Sequence, residues 1–150
     1  GDIATLACAL KTFDKGVNRV GDYVFDANDS MVATVQFKNG ALGTLHSSRW
    51  ATGHTNTVAL RVYGDKGSLD LNLDRPAPET LRVCWGKHVA KAVWEPVRCP
   101  PVPDMAERFV TALLTKKQGQ TSFAGGAKVQ AYIETSALSA RKGGGFVRVG

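Results

Sequence analysis

Apolar residues recur at every second position in four separate segments of this chain, and that pattern restricts the fold more than any other feature. Met31, Ala33, Val35 and Phe37 form one row; Val58, Leu60 and Val62 a second; Leu69, Leu71 and Leu73 a third; Leu81, Val83 and Trp85 a fourth. A period of two belongs to a half-buried β-strand, whose successive side chains point to opposite faces. Asn39-Gly40 supplies a hairpin turn, because both residues tolerate positive φ, and Gly64-Asp65-Lys66-Gly67 supplies another. Residues 3–13 form a further, longer strand candidate. Four rows in register imply one continuous sheet. The intervening positions are polar: Ser30, Thr34 and Gln36, then Thr57, Arg61 and Tyr63, then Ser68, Asp70 and Asn72, then Thr80 and Arg82. A face of that kind meets water, a partner subunit or a ligand.

Beyond the prolines at Pro76, Pro78, Pro100, Pro101 and Pro103 the period lengthens to that of a helix. Asp104 is the expected N-cap with Glu107 three residues on, and Met105, Phe109, Val110, Leu113 and Leu114 share one face. Gly119 ends that helix. A second begins near residues 122–124, carries Val129, Ile133, Ala137 and Ala140 on one stripe, and stops at Gly143 to Gly145. Residues 146–149 close as a short strand. Strands first and helices last predict an α+β fold: an open, mainly antiparallel or mixed β-sheet with helices packed on one face.

At 150 residues the expectation is a single domain, 1–150, large enough to bury roughly 70% of its unfolded surface. No apolar run is long enough for a membrane-spanning helix, so no membrane partner is expected. The net charge of +6 invites a nucleic-acid reading. The basic residues are scattered, however, and the adjacent pairs Lys116-Lys117 and Arg141-Lys142 sit near predicted helix ends, where they complement the dipole. Nucleic acid is therefore not expected as a partner. Cys8, Cys84 and Cys99 form no C-x-x-C pair and leave one over, which fits reduced thiols in a cytoplasmic protein and gives no zinc site. The first residues lack the form of a signal peptide, and the missing initiator Met suggests a fragment.

Residues 49–56, Arg-Trp-Ala-Thr-Gly-His-Thr-Asn, concentrate a fixed cation, an imidazole, hydroxyls and an amide in one connection. Such groups suit a polyhydroxylated ligand: Arg49 and Asn56 donate to hydroxyl or carboxylate oxygens, His54 is titratable, and Trp50 offers an apolar face to a sugar ring. Arg49 equally suits a bridge between strands, and Trp50 a core or interface position. His46 shares strand parity with Thr44 and Ser48 on the polar face, and His88 reads as a turn residue. No G-x-S-x-G or P-loop pattern is present, so nothing indicates a nucleophilic hydrolase or an NTPase.

The segments Gly-Ala-Leu-Gly-Thr at 40–44 and Ser-Arg-Trp-Ala-Thr-Gly at 48–53 resemble the C-terminal domain of the glucose-fructose oxidoreductase / inositol dehydrogenase / MocA (Gfo/Idh/MocA) family. Leu10-Lys11-Thr12-Phe13, Asp29 ahead of its strand, the hairpin Tyr63-Gly64-Asp65-Lys66-Gly67-Ser68-Leu69, Phe109 to Leu114 and Ser122-Phe123-Ala124-Gly125-Gly126 continue the resemblance along nearly the whole chain. It implies an NAD(P)-dependent oxidoreductase acting on a sugar, polyol or related hydroxy compound, with NAD or NADP held by an N-terminal Rossmann domain. The dinucleotide turn and the Glu-Lys-Pro segment of that family are absent here, as is the helix that completes its catalytic site. The resemblance therefore implies a substrate-binding and oligomerisation domain that is not itself catalytic, binds no cofactor strongly, and contacts substrate through Arg49, Trp50, His54 and Asn56, helped by Lys11. It also implies a homo-oligomer built on the open sheet face. The competing reading is a non-catalytic scaffold that uses the same face for dimerisation.

Overall fold

The computed structural model describes residues 1–17, 19–119 and 121–150. The chain divides into two compact units, Gly1–Ala51 with Thr115–Gly150, and Thr52–Leu114.

The first unit is built on a four-stranded antiparallel sheet of β1 (Ile3–Lys11), β4 (Ser30–Phe37), β5 (Leu42–Ser48) and β10 (Val147–Arg148), in the order β10-β1-β4-β5. A small ribbon, β2 (Arg19–Val20) with β3 (Tyr23–Val24), interrupts the connection from β1 to β4. The alternation read from the sequence sets the buried face: Leu6, Cys8, Ala33 and Val35 are buried, with Leu10, Met31 and Phe37 packed against them. Ile3 joins the cluster although it lies three residues from Leu6, because the register slips between Ile3 and Thr5. A bulge of one residue restores the parity.

Helix α2 (Phe123–Arg141) packs on β1 and β10, and Ser122 caps it by accepting the Gly125 N–H at 3.0 Å. Of the expected stripe, Ala137 and Ala140 are half-buried, but its two large residues are not. Val129 and Ile133 are 55% and 56% exposed, whereas Thr135, Ser136 and Ser139 are buried and Tyr132 packs on the core. Small hydroxyl residues serve this tight interface because each is satisfied locally. Thr135 donates to the Ala131 carbonyl at 2.7 Å and Ser136 to that of Tyr132 at 2.8 Å.

The second unit holds an antiparallel meander of β6 (Ala59–Gly64), β7 (Gly67–Asn72), β8 (Leu81–Trp85) and β9 (Glu95–Pro96). Cross-strand rows follow the predicted parity, with Leu60, Leu71 and Leu81 in one line and Arg61, Asp70 and Arg82 in another. The expectation of one continuous sheet is corrected: among the described residues the apolar rows divide between two separately hydrogen-bonded sheets. Periodicity fixes which way a side chain points but carries no information about which strand lies alongside. Helix α1 (Met105–Thr115) opens with the expected capping box. The Asp104 carboxylate accepts the Glu107 N–H at 2.8 Å, and the Glu107 carboxylate accepts the Asp104 N–H at 3.0 Å. Its apolar stripe is exposed, Phe109 and Leu113 by 64% and 62%.

Candidate functional site

Asp29 organises the end of the first sheet. Its N–H donates to the Lys11 carbonyl at 2.8 Å and its carbonyl accepts the Arg49 N–H at 2.8 Å, so the residue ties together the end of β1, the start of β4 and the end of β5. The carboxylate Oδ2 accepts the Phe13 N–H at 2.9 Å and the Lys15 ammonium at 2.6 Å. Asp29 is buried, and a buried carboxylate persists only when charge and donors surround it. The Lys15 hydrogen bond, followed by that from Phe13, holds its carboxyl below the usual carboxylate range against the opposing effect of burial.

Trp50 stands above this anchor. Its N–H donates to Ser48 Oγ at 3.0 Å, its ring meets Phe13 edge-on with centroids 5.6 Å apart, and Lys15 Nζ lies 5.9 Å from its centroid. Lys15, Asp29, Arg49 and Trp50, with Val24, Phe25 and Ala27, line an open cleft of about 390 Å³. One wall is aromatic, and two cations overhang a single neutralised carboxylate. The cleft thus sets ammonium and guanidinium donors beside an aromatic face.

The pH dependence of Asp29 has a definite sign. A carboxyl whose pKa is lower folded than unfolded adds stability above the unfolded value and loses it as pH falls through the folded one. Asp2, paired with Lys128, and Asp70, paired with Arg75, are lowered in the same sense. The urea midpoint should therefore be flat above about pH 5 and decline below about pH 4. Asp29→Asn should lower the midpoint near neutral pH and make the acid limb shallower; an unchanged acid limb would show that the Lys15 pair contributes nothing.

The second unit carries a separate polar group. His54 Nδ1 lies 2.7 Å from Thr57 Oγ1, and that hydroxyl donates to Asp74 Oδ2 at 2.6 Å. Gly53, at φ +85°, makes the turn that presents His54, and both His54 and Asn56 are exposed. On the polar face of the meander, Asp70 accepts Arg75 Nη1 at 2.9 Å and faces Arg61 at 3.5 Å, beside Tyr63, Arg82 and Trp94. The Arg75 hydrogen bond comes first among the causes that lower the Asp70 carboxyl.

Of the residues singled out from sequence, Arg49 and Trp50 come together in the cleft of the first unit, whereas His54 and Asn56 belong to the second. Lys11 is exposed at the end of β1, paired across the ladder with Ser30, and does not line the cleft. Lys15 and Phe13 were not anticipated, and Asp29 was noted only for preceding its strand. An aspartate just ahead of an apolar alternation, with a lysine fourteen positions earlier, is the signal available for that pair, and it gains meaning only once β1 and β4 are adjacent. Among the described residues no group of three or more His, Cys, Asp or Glu could hold a metal ion, and no helix is long and apolar enough to cross a membrane.

Residues 1–70 match the family model described as the GFO/IDH/MocA C-terminal domain. Levoglucosan dehydrogenase of Pseudarthrobacter phenanthrenivorans is 32% identical over 50 residues, which are 33% of this chain and 13% of that protein. The structure of a levoglucosan dehydrogenase in complex with NADH and levoglucosan superposes with a TM-score of 0.83 at 23% identity, covering 99% of this chain and 45% of that one. An oxidoreductase domain protein from Kribbella flavida gives a TM-score of 0.79 at 21% identity, covering 99% and 46%. At these identities the structural likeness establishes the fold: open antiparallel sheets with a few helices, as in GFO/IDH/MocA C-terminal domains. The chain spans less than half the length of each of these relatives.

Proposed function

We propose that this GFO/IDH/MocA domain is the substrate-side portion of an NAD- or NADP-dependent oxidoreductase acting on a sugar, polyol or related hydroxy compound. The observation that carries the reading is the cleft in which Arg49 and Lys15 overhang the Asp29 anchor beside Trp50. Structures of levoglucosan dehydrogenase hold NADH with levoglucosan and with L-sorbose, which supports both the redox class and a polyhydroxylated ligand. The chain's own residues do not fit a dinucleotide: its described ladders are all antiparallel, and no G-x-G-x-x-G turn joins a strand to a helix. The role of these residues is accordingly to bind and orient, and no redox step is assigned to them. Arg49 and Lys15 donate to ligand oxygens, and Trp50 stacks on the carbon face.

NMR titration of the chain with levoglucosan tests this directly. Resonances of Lys15, Arg49 and Trp50 should move together, and Arg49→Ala should weaken the dissociation constant by roughly 10- to 100-fold, the equivalent of one charge-assisted hydrogen bond. Movement confined to other residues, or unchanged affinity in the variant, would remove the cleft from substrate recognition.

A second reading, assembly through a sheet face, rests on the outer side of the first sheet. There Val32 and Leu42 are 55% and 74% exposed among Thr34, Gln36, Thr44 and His46. Sedimentation equilibrium separates the readings, since a scaffold gives a stable dimer without sugar binding.

A further inference from the structure

Across the meander of the second unit, Arg61, Asp70 and Arg82 stand in one cross-strand row, the carboxylate flanked by a guanidinium-bearing residue on each side. Their two arginine Cα atoms lie two strand spacings apart, about 10 Å. Asp70 needs neither of them for neutrality. It accepts Arg75 Nη1 at 2.9 Å, and that pair already carries no net charge. Arg61 Nε stays 3.5 Å from Asp70 Oδ1. Arg82 Nε is shielded from water and has no hydrogen-bond partner among the described residues; Glu79 Oε2, 3.5 Å away, does not meet it in hydrogen-bond geometry. A shielded, charged donor without an acceptor costs free energy until one arrives. With Tyr63, Asp70 and Trp94, these two surplus cations line an open pocket of about 230 Å³. Three arginines against Asp70 and Glu79 leave the group one positive charge in excess.

We propose that this pocket binds an oxyanion, the phosphate or carboxylate group of a small ligand, between the guanidinium forks of Arg61 and Arg82. Each fork offers parallel N–H donors that match two oxygens of such a group. Arg75 makes the site possible by satisfying Asp70, whose charge would otherwise be met by the same two forks. Tyr63 and Trp94 give the body of the ligand an aromatic wall. Glu79 competes with the anion for Arg82 and so sets how tightly it is held. All of these residues belong to the second unit, and the site does not rest on the reading of the Arg49 cleft.

Arginine Nε–Hε and tryptophan indole resonances of the full chain, followed by NMR during titration with inorganic phosphate and separately with malonate, test the site. Arg61, Arg82 and Trp94 should respond together, with a dissociation constant of about 1 mM or tighter for the preferred anion. A response to phosphate alone assigns a phosphate ester, one to malonate alone assigns a carboxylate, and either supports the proposal; no response to both overturns it. Arg82→Gln should weaken binding about 10-fold, whereas Glu79→Gln, which removes the competitor, should tighten it about 3-fold. Lys66→Gln, which takes the same charge from the β6–β7 turn outside the pocket, should leave affinity unchanged. Equal weakening by Lys66→Gln and Arg82→Gln would mean a diffuse basic surface and overturn the site. Should Arg82→Gln fail to give the dispersed spectrum of a folded chain, Glu79→Gln decides, and weaker binding in that variant overturns the proposal.

Discussion

Replacing Ser139 with alanine should destabilise the protein by about 2–4 kcal/mol, from two severed hydrogen bonds, one of which leaves the buried Cys8 amide without an acceptor. The side chain is 0% exposed, accepts the Cys8 N–H at 2.8 Å and donates to the Gly145 carbonyl at 2.7 Å. Strand β10 pairs with β1 only at Thr5 and Leu6, so at Cys8 the neighbouring strand has run out and the serine hydroxyl takes its place. The same oxygen ties down the turn that follows α2. Alanine restores neither hydrogen bond, and an unpaired buried amide carries the larger part of the cost. Equilibrium urea unfolding measures the loss. Hydrogen exchange should show the Cys8 amide, protected in wild type, becoming fast. Ile133→Ala on the exposed stripe of the same helix is the comparison, expected to cost less than about 1 kcal/mol because little of its area leaves water on folding. If Ile133→Ala proved the more costly of the two, the helix would be facing its sheet with the other side.

Gly67→Ala should be comparably severe in the second unit, at about 2–4 kcal/mol, from backbone strain combined with overpacking. Gly67 has φ +155°, and a Cβ there would stand 2.5 Å from the Cys84 carbonyl oxygen and 3.1 Å from Trp85 Cα. Both obstacles are backbone atoms of β8, the ladder partner of this residue, so relief requires the β7–β8 pairing to open. Gly40→Ala separates the two causes. Its φ is +86° but nothing lies within 4 Å of the added carbon, so only the conformational cost, about 1 kcal/mol, applies. Denaturant midpoints of the two variants provide the test, and equal shifts would mean that the contact with Cys84 is relieved without cost.

Strand β4 was legible because it obeys a local rule, whereas the short strands β2, β3 and β9 carry no such pattern. Ala33 and Val35 are buried and Thr34 and Gln36 exposed, as alternation requires; the capping box at Asp104 and Glu107 forms as its spacing predicts. The α2 stripe was half right: Ala137 and Ala140 are half-buried, but hydropathy ranks Val129 and Ile133 above Ser136 and Ser139, which are the buried ones. Close approach of a helix to a sheet favours short side chains whose hydroxyls can turn back on nearby backbone groups, and no hydropathy pattern records that. The candidate site was half visible. Arg49 and Trp50 stood out as polar and aromatic residues in a connection with no core role, but Lys15 lies 14 residues from the Asp29 carboxylate it neutralises and carries no local mark of that pairing.

Sequence alone determined the strand parities, the hairpin at Asn39-Gly40, the helix starts and the family resemblance, since each depends on residues within a few positions of one another. Tertiary structure alone decided how the strands divide between two sheets, which face of α2 is buried, that Asp29 gathers Lys15, Phe13 and Arg49, and that Thr57 stands between His54 and Asp74. Those outcomes depend on atoms distant in sequence meeting at hydrogen-bond distance, and a one-dimensional pattern holds no term for that meeting.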